Sequence, residues 1–525
     1  MTLNIWYVVV FSIPFAVFTL YFILGNVLVF FYPKFDLKKH FALVEKYWAY
    51  YFQKHPSVDI FLTACGEELE VLSKTMHAIS KLNYDNYKVY ILDDKGDKDL
   101  EELTNKYNFN YRHRSNAGWM KKAGNLRYGY EISEGEFVIV FDADFVPHPD
   151  FIREALPYMA DPEVGIVQTA QYFDTSDEAF RNNPLEAGSG ASVENFYKVI
   201  NPSRGAFDAS ICVGTNAIYR RQMIEDAGGN ALSEYKEDVE TGINCIRAGY
   251  KIKYIPLILA IGLSPDTLQA YFAQQNRWCT GSTMEDAEKP AVIKKPLSLA
   301  QKLWYSLGGL YYLRGALAIV MSLQTFLILT FNTDTVRLSH TIYFIPYIVL
   351  MYVIPNLAEF NRPRLGKVLA GVGKMYIYLY TILNNLQNKK VGWVATGNKA
   401  VRSSKSFVDF VRLVTISSAS MYAFALYVVS TGALFSSWRV FVPSVSMLYL
   451  ISIHGLFMVY SNLALFEGGY TIQAFSRLQK LFKPAVSANI IVILLTFLVQ
   501  YSNPLNRVNN TTETSKKLPD IEVSA

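Results

Sequence analysis

The chain has 525 residues, of which 51% are hydrophobic and only 18% are charged, and its formal net charge is +5. It is too apolar for an ordinary soluble enzyme and too charged for a bundle made only of membrane helices. The two kinds of sequence are separated along the chain. Residues 34–292 alternate strand-like and helix-like patterns with ordinary charge, whereas both flanks are apolar. The positive excess lies beside the apolar segments, so anionic lipid headgroups explain it better than nucleic acid does.

The first flank, Ile5–Phe31, is long enough to cross a bilayer. It has no basic n-region and no small-residue cleavage site, so we interpret it as an anchor and not as a cleaved signal peptide. Apolar runs after the central domain bring the predicted spans to six, and these further runs are 306–331, 341–357, 411–434, 440–466 and 486–501.

Basic residues indicate the orientation of these spans. Lys and Arg are frequent in the connections 358–410 and 467–484, while 332–340 and 435–439 hold one Arg each. Since cytosolic connections carry the basic excess, we expect a plasma-membrane protein whose central domain is cytosolic. Residues 368–386 are apolar enough for a seventh span, but Lys374 and the amides near the end of this segment favour a helix in the membrane interface.

These patterns divide the chain into seven predicted parts. They are an N-terminal anchor (1–33), a cytosolic domain (34–292), an interfacial helix (293–305), two membrane helices (306–357), an interfacial helix with a loop (358–410), three membrane helices (411–502) and a disordered polar tail (503–525).

Two ionisable residues fall within predicted spans, where such groups face a cavity or a partner. Arg314 suits channel lining and helix contact equally well, and His454 is predicted to be a packing residue.

The wide spacing of the cysteines fits neither a disulfide framework nor a metal site. They are Cys65, Cys212, Cys245 and Cys279, and we expect reduced thiols.

Carboxylates follow the predicted strands of the central domain. The strands 58–63, 88–92 and 136–141 alternate with helical segments, which predicts an α/β domain with a mostly parallel sheet. The carboxyl ends of such strands meet at one crevice, where ligands bind. The carboxylates expected to converge there are Glu67, Asp93, Asp94, Asp142 and Asp144.

Asp142 and Asp144 are separated by a single residue. Two such carboxylates repel each other unless a divalent cation lies between them and a phosphate. Mg²⁺, or Mn²⁺ in its place, suits this role because Mg²⁺ takes few carboxylates and completes its shell with phosphate oxygens and water. Taken alone, the pair is equally consistent with a solvated turn.

Two further segments carry groups suited to a nucleotide sugar. In Lys121–Leu126, Gly124 permits close backbone approach and Lys122 can meet a phosphate, although a solvated basic helix face gives the same pattern. Glu237 and Asp238 offer a general base beside a sugar acceptor, although a surface acidic cluster is the simpler alternative for that composition.

The segment Gln274–Trp278 is more distinctive. Arg277 can neutralise a leaving diphosphate, and Trp278 offers a flat face for a sugar ring. An exposed cation–π pair is the structural alternative.

Together and in this order, these segments resemble the processive family-2 inverting glycosyltransferases, above all the cellulose synthases. The matching segments are Asp93–Asp94, Lys122–Asn125, Asp142–Asp144, Val167–Thr169 with Gln171, Val213–Thr215, Glu237–Asp238 and Gln274–Trp278, and Trp393–Lys399 is similar to a cellulose synthase gating loop. The resemblance implies a GT-A-like α/β domain with a mostly parallel sheet, fused to an all-α transmembrane bundle with interfacial amphipathic helices.

The resemblance also implies roles for individual residues. Asp238 is the catalytic base with Glu237 beside it, and Asp142 and Asp144 hold the metal. The implied donor-binding residues are Thr63, Glu67, Asp93, Asp94, Lys122, Asn125, Asp142, Asp144 and Arg277. The implied acceptor-binding residues are Thr215, Gln274 and Trp278, and the implied gating residues are Trp393, Thr396 and Lys399. Cys212 is shifted by one position from the family's cysteine and receives no role.

The implied activity is processive synthesis and export of a β-linked polysaccharide, a β-glucan made from UDP-glucose, with the nascent polymer and the bilayer as partners and no nucleic acid. A hyaluronan- or chitin-type synthase using UDP-N-acetylglucosamine is the alternative within the family. A non-processive polyprenyl-phosphate glycosyltransferase is a further alternative, against which the segment Gln274–Trp278 and the gating-like loop argue. The oligomeric state is not indicated.

Overall fold

The computed structural model describes residues 2–31, 35–51, 55–284, 292–331, 365–389, 405–430 and 454–462. The predicted gating residues Trp393, Thr396 and Lys399 lie outside the described residues. The predicted spans 341–357 and 486–501 and the polar tail lie outside them as well.

The described part of the chain contains two sheets. Their strands are β1 (Val58–Ala64), β2 (Tyr87–Asp93), β3 (Asn110–His113), β4 (Phe137–Asp142), β5 (Phe145–Pro147), β6 (Val164–Thr169), β7 (Tyr172–Phe173), β8 (Ala217–Arg220), β9 (Lys251–Ile255) and β10 (Ala260–Gly262). The larger sheet has the order β3-β2-β1-β4-β8-β6-β9, and the smaller sheet has the order β5-β10-β7.

The larger sheet is mostly parallel. The pairs β1–β2, β1–β4, β2–β3 and β6–β9 are parallel, and β8 is antiparallel to both of its neighbours. The register places Ala64 opposite Asp93, and Thr63 opposite Asp142. Three strands therefore end at one level, which brings their carboxylates to one edge. The predicted α/β domain with a mostly parallel sheet is confirmed.

Helices cover the sheet and continue beyond it. They are α1 (Thr2–Phe30), α2 (Leu37–Tyr51), α3 (Leu69–Ile79), α4 (Lys98–Lys106), α5 (Lys121–Ile132), α6 (Phe151–Ala155), α7 (Asp177–Asn182), α8 (Pro184–Ala191), α9 (Asn201–Arg204), α10 (Arg221–Asp226), α11 (Glu237–Arg247), α12 (Leu268–Thr283), α13 (Leu299–Phe331), α14 (Leu365–Leu386) and α15 (Lys405–Ser430), and residues 454–462 are also helical.

The larger sheet is buried on both faces, which explains why its central strands are nearly continuous apolar runs. Ile60 and Ile139 contribute to one core, under α3 and α6. Phe61 and Val140 contribute to the other, under α5, α10 and α11. The four cysteines, all within the described residues, are free thiols.

The helices after the α/β domain pack against it. Helix α14 contacts α8, α12 and α13, and α13 also contacts α1. Backbones of α8 and α14 approach so closely at Gly188 and Gly366 that neither position has room for a Cβ. Helix α13 runs without interruption from Leu299 to Phe331, across the predicted boundary at residue 305. By length and hydropathy, none of the helices in the described ranges qualifies as a membrane span.

Asp59 forms a buried ion pair within the α/β domain. Its carboxylate accepts a hydrogen bond from Arg221 at 3.2 Å and another from the backbone N–H of Gly135. Arg221 also donates to the backbone oxygens of Gly135 and Tyr130, so it links the start of β4 to the end of α5.

We expect Asp59→Ala to lower the free energy of unfolding by about 3 kcal/mol, because it leaves the Arg221 charge buried without its partner. Thermal unfolding of the purified full chain measures this loss. The matched control is Glu163→Gln, which removes an exposed ion pair with Lys251 and should change stability little. Equal effects of the two substitutions would contradict the prediction.

Candidate active site

A cavity of about 820 Å³ lies at the carboxyl ends of β1, β2 and β4. Most of the predicted site residues line it, and they come from segments far apart in the chain. The residues in question are Thr63, Glu67, Asp94, Lys122, Asn125, Asp142, Asp144, Glu237, Asp238, Gln274, Arg277 and Trp278. The predicted residues Asp93 and Thr215 are fully buried and do not line the cavity.

Lys122 is the central cation of the site. Its ammonium group donates to the Asp142 carboxylate and, at 2.9 Å, to the backbone oxygen of Gly214. Burial alone would lower the pKa of Lys122, but the carboxylates of Asp142, Glu237 and Asp238 outweigh burial and raise it. Lys122 is therefore charged and ties the end of β4 to the loop that precedes β8.

Asp144 is partly buried beside Asp142. Burial, followed by repulsion from Asp142, raises the pKa of Asp144 well above its ordinary value. Thr63 donates to Asp142 Oδ1 at 3.4 Å. Glu67 also faces the cavity, where it accepts a hydrogen bond of 2.6 Å from the Cys65 N–H, and burial raises its pKa. Asp142, Asp144 and Glu67 thus place several acidic groups together on one part of the cavity lining.

These carboxylates fit a divalent cation. Asp142 and Asp144 repel each other in a buried site, and a cation between them would relieve that repulsion. Within the described residues, no group of three or more His, Cys, Asp or Glu side chains is arranged to hold a metal. A pair of carboxylates suits a divalent ion that takes its remaining ligands from phosphate and water, as Mg²⁺ does.

Asp94 is held by Arg114, which the sequence analysis missed. The guanidinium donates Nε–H to Asp94 Oδ1 at 2.6 Å and Nη2–H to Oδ2 at 2.8 Å, and both side chains are nearly fully buried. Bidentate pairing fixes the carboxylate in one orientation. No motif in the sequence indicates this pair, because Arg114 is separated from Asp94 by a helix and a strand.

Asp93 supports the loop that carries Asp94. Its carboxylate accepts hydrogen bonds from the backbone N–H groups of Lys95 and Asp97 at 2.8 and 2.6 Å, and from the Tyr111 hydroxyl at 2.7 Å. These contacts engage both carboxylate oxygens of Asp93, so this side chain fixes the shape of the loop that carries Asp94. Its contact with a sugar donor stays a prediction.

Asn125 presents a free acceptor to the cavity. Its Nδ2 donates to the backbone oxygen of Leu92 at 2.7 Å, whereas its buried Oδ1 has no hydrogen-bond partner among the described residues. A buried polar atom without a partner is costly. An acceptor in this position is therefore suited to a donor group of a ligand.

Thr215 lies behind the cavity wall and supports Asp142. Its hydroxyl accepts a hydrogen bond of 2.9 Å from the Asp142 N–H. The neighbouring Gly214 has φ of +75°, and a Cβ there would lie 2.8 Å from the Cβ of Asp238. Gln168 fixes the same loop by bonding Val213 N–H at 2.9 Å and the Thr215 backbone oxygen at 2.8 Å. Thr215 is thus separated from the cavity by its wall, and its role near an acceptor stays a prediction.

Glu237 and Asp238 form the first turn of α11 and face the cavity. Burial raises the pKa of both carboxyl groups above their ordinary values, and in Glu237 the neighbouring Asp238 charge adds to it. Asp238 Oδ1 accepts a hydrogen bond of 2.7 Å from the Val239 N–H. A carboxylate with a raised pKa is a stronger base than an exposed one.

One face of α12 carries Gln274, Arg277 and Trp278, whose spacing places them together along the helix. All three line the cavity. Burial lowers the pKa of Arg277, while the charges of Asp142, Asp144, Glu237 and Glu67 oppose that change. The guanidinium thus lies within electrostatic reach of all four of these carboxylates.

Helix α12 is fastened to α14 by three side-chain hydrogen bonds. The Tyr378 hydroxyl donates to Gln275 Oε1 and the Thr381 hydroxyl donates to Asn276 Oδ1, both at 2.7 Å. The Tyr271 hydroxyl bonds the Ala370 backbone oxygen at 3.0 Å. Helix α14 therefore positions the helix that carries Arg277 and Trp278.

Tyr197 and Gln171 form a further pair in the wall. The Tyr197 hydroxyl donates to Gln171 Oε1, and both side chains line the cavity. Burial, followed by the negative charges of Asp238 and Asp142, raises the pKa of Tyr197. Gln171 belongs to a segment that matched the family pattern, but no sequence signal indicates Tyr197.

Comparisons with known proteins show which proteins this chain is similar to. Residues 137–356 match the family described as glycosyl transferase family group 2. A cellulose synthase catalytic subunit of Pseudomonas fluorescens is 26% identical over 68% of this chain and 49% of its own length. A putative cellulose synthase 2 of Komagataeibacter xylinus is 32% identical over 43% of this chain and 15% of its own length. The chain thus spans about half, or less, of the curated relatives it matches.

Among solved structures, a mannosyltransferase of Pyrobaculum calidifontis in complex with GDP-mannose and Mn²⁺ is similar to this chain. The TM-score is 0.44 at 15% identity, with 67% of this chain and 97% of that chain covered.

Proposed function

Since the chain carries a family-2 glycosyltransferase domain, we propose that it is a processive, inverting hexosyltransferase that builds a β-linked polysaccharide from a UDP-sugar. UDP-glucose is the proposed donor and the nascent polymer is the acceptor. The observation that carries this proposal is the convergence of three kinds of group in one cavity. These are a carboxylate pair suited to a metal-bound diphosphate, a partly buried carboxylate suited to a base, and an Arg–Trp face on α12.

Asp238 is the proposed general base. It takes the proton of the acceptor hydroxyl as that oxygen attacks the anomeric carbon of the donor. The bond from this carbon to the acceptor oxygen forms while its bond to the diphosphate oxygen breaks, and UDP leaves with the electron pair. Attack from the face opposite the leaving group converts an α-linked donor into a β-linkage. Holding both sugars in one cavity supplies much of the acceleration.

Arg277 and Lys122 are the proposed partners of the leaving diphosphate, because both cations lie among the carboxylates of the site. Asp142 and Asp144 would hold a divalent cation, and when bound this ion stabilises negative charge on the diphosphate. Asp94, which Arg114 fixes in place, and the free acceptor Asn125 Oδ1 are proposed to contact the nucleoside.

Trp278 is the proposed platform for the terminal sugar of the polymer, with Gln274 one turn away on the same face. The CH groups of a pyranose ring pack against an aromatic face, which leaves the hydroxyl groups at the ring edge free for hydrogen bonds. Such a platform holds the acceptor while the polymer advances, so it suits a processive enzyme.

Export across the plasma membrane is proposed from the apolar flanks and from the shape of the cavity. The lining continues from Trp278 to Leu307 and Gly308 in α13 and to Tyr378 in α14. A growing polar chain needs a path through hydrocarbon, and a cavity that continues between the catalytic domain and these helices is suited to start one.

Incorporation of labelled sugar by the purified full chain tests the function. We expect high-molecular-weight product with Mg²⁺ and UDP-glucose, and digestion by a β-glucanase should release the label. The absence of product from UDP-glucose, with product from UDP-N-acetylglucosamine, would overturn the donor and keep the reaction. Transfer of one sugar to a polyprenyl phosphate would overturn processive synthesis.

A further inference from the structure

A second group of cations lines the same cavity as the carboxylates. We name the part of the lining that they form with three tyrosines the distal arm; it comprises Arg204 of α9, Lys374 of α14, Tyr21, Tyr311 and Tyr378. It is continuous with the part that holds Trp278, since all these residues line the same cavity. A polymer held at Trp278 would therefore share the cavity with these cations and tyrosines.

Arg204 is a buried guanidinium with an unused donor. Its residue is 2% exposed, its Nε–H donates to the Ala209 backbone oxygen at 2.8 Å, and its guanidinium carbon lies 5.1 Å from the Tyr305 ring centroid. Its Nη2 has no hydrogen-bond partner within the described part of the chain. Burial lowers the pKa of Arg204 to about 10, which still leaves it charged at neutral pH.

Lys374 and Arg314 meet at Tyr311. The Lys374 ammonium lies 3.4 Å from the Tyr311 hydroxyl and 3.2 Å from the Ser192 backbone oxygen. The Arg314 guanidinium carbon lies 5.4 Å from the Tyr311 ring centroid and 4.6 Å from that of Tyr21. Arg314 Nε is buried and has no hydrogen-bond partner among the described residues. Arg314 thus places a second positive charge behind the wall that Lys374 lines.

Carboxylates do not neutralise these cations in the described ranges. Lys122 has an acidic partner at hydrogen-bond distance, whereas Arg204, Arg314 and Lys374 contact only neutral oxygens and aromatic rings there. Glu186 also lines the cavity, but burial and the charges of Asp266 and Asp174 raise its pKa, and none of the three cations is among the groups that act on it. A buried cation without a counter-charge is costly, so this arrangement favours an anionic ligand.

We propose that the distal arm binds the carboxylate groups of the nascent polymer, so that the product is an acidic polysaccharide and a UDP-uronate serves as a second donor. This inference rests on the proposed function and adds the substrate class to it. The tyrosines favour an acidic sugar over a lipid phosphate, because aromatic faces and hydroxyl groups suit pyranose rings. The cavity also joins the arm to the platform on which the terminal sugar would lie.

The first test supplies the purified full chain and Mg²⁺ with labelled UDP-glucuronate or UDP-galacturonate, each alone and together with UDP-glucose or UDP-N-acetylglucosamine. We expect at least one pair to yield long product that carries the uronate label and binds an anion exchanger. Neutral polymer that never contains uronate would overturn the inference and leave the proposed function intact. Label found only in lipid-linked phosphate would assign the arm to a lipid and overturn the inference. No transfer from any donor would overturn both.

The second test replaces Lys374 with methionine, which keeps the length of the side chain and removes its charge. The measured quantity is kcat/KM for a uronate-containing oligosaccharide acceptor divided by kcat/KM for a neutral one. We expect this ratio to fall about tenfold, as the loss of a hydrogen bond to a charged group predicts. The more conservative Arg204→Lys should lower the ratio less.

Lys302→Met is the matched control, because Lys302 is exposed on α13 and does not line the cavity. It should leave the ratio unchanged. A merely structural role for Lys374 would reduce transfer to both acceptors in equal proportion, and that outcome would overturn the inference.

Discussion

Asp238→Asn is expected to slow sugar transfer by a factor of about 10² to 10⁴, which is the range that general base catalysis contributes. The partly buried carboxylate lies in the cavity near Gly214, where Lys122 acts on its charge, and burial raises its pKa. Asparagine keeps the shape of this side chain and cannot accept the proton of the acceptor hydroxyl. The effect should therefore fall on kcat, with binding of UDP little changed.

Folding of this variant should not be impaired. Because burial raises the pKa of Asp238, its ionised form is less favourable in the folded chain than in the unfolded one, and this cost is present above the folded-state pKa. The neutral asparagine avoids that cost. The Tm should therefore be equal or higher near neutral pH.

Single-turnover transfer and UDP binding by the purified chain separate chemistry from binding in Asp238→Asn. Asp99→Asn is the matched control, since Asp99 is exposed in the first turn of α4, away from the cavity. Transfer by Asp238→Asn at more than a tenth of the unsubstituted rate would exclude Asp238 as the base.

Asp144→Asn is expected to reduce transfer by a factor on the order of 100 or more, as the loss of one charge-stabilising group does in other active sites. Asp144 is partly buried beside Asp142, and their repulsion is the feature that suits the pair to a divalent cation. An amide is a weaker ligand than a carboxylate, so half-maximal activity should require a higher concentration of Mg²⁺.

Two measurements check the metal prediction. Activity is titrated with Mg²⁺, and binding of Mn²⁺ to the chain in the presence of UDP is followed by electron paramagnetic resonance, which does not depend on turnover. Asp161→Asn, at an exposed turn before β6, is the control. An unchanged metal requirement together with activity within twofold would contradict a metal role for Asp144.

The sequence predicts the α/β sheet and one wall of the site because both depend on local patterns. Strand β4 is a buried apolar run that ends in Asp142, and the parallel register then brings Thr63 and Asp142 to one level. The helical spacing of Gln274, Arg277 and Trp278 likewise predicts one shared face. These predictions depend on the apolar pattern of individual strands and on the residue spacing within one helix.

The remaining features depend on contacts between distant segments, which no single element indicates. Arg114 meets Asp94 only after β3 has joined the sheet beside β2. Asp93 and Asp94 look equivalent in the sequence, yet one supports the loop and the other lines the cavity. Lys374 lies on α14, and only the packing of α14 on α8 and α12 brings it to the cavity.

Because α14 holds α12 in place, a fragment of this protein that is expressed on its own needs both helices. A fragment cut at residue 292 would end before α14 and would leave Gln275, Asn276 and Tyr271 without their hydrogen-bond partners. It would also uncover the apolar surface of Phe272, which packs against Phe410 of α15. Such a fragment carries the catalytic carboxylates but not the support of the helix that bears Arg277 and Trp278. Boundaries for expression and crystallisation are therefore better drawn beyond α15 than at the end of the sheet.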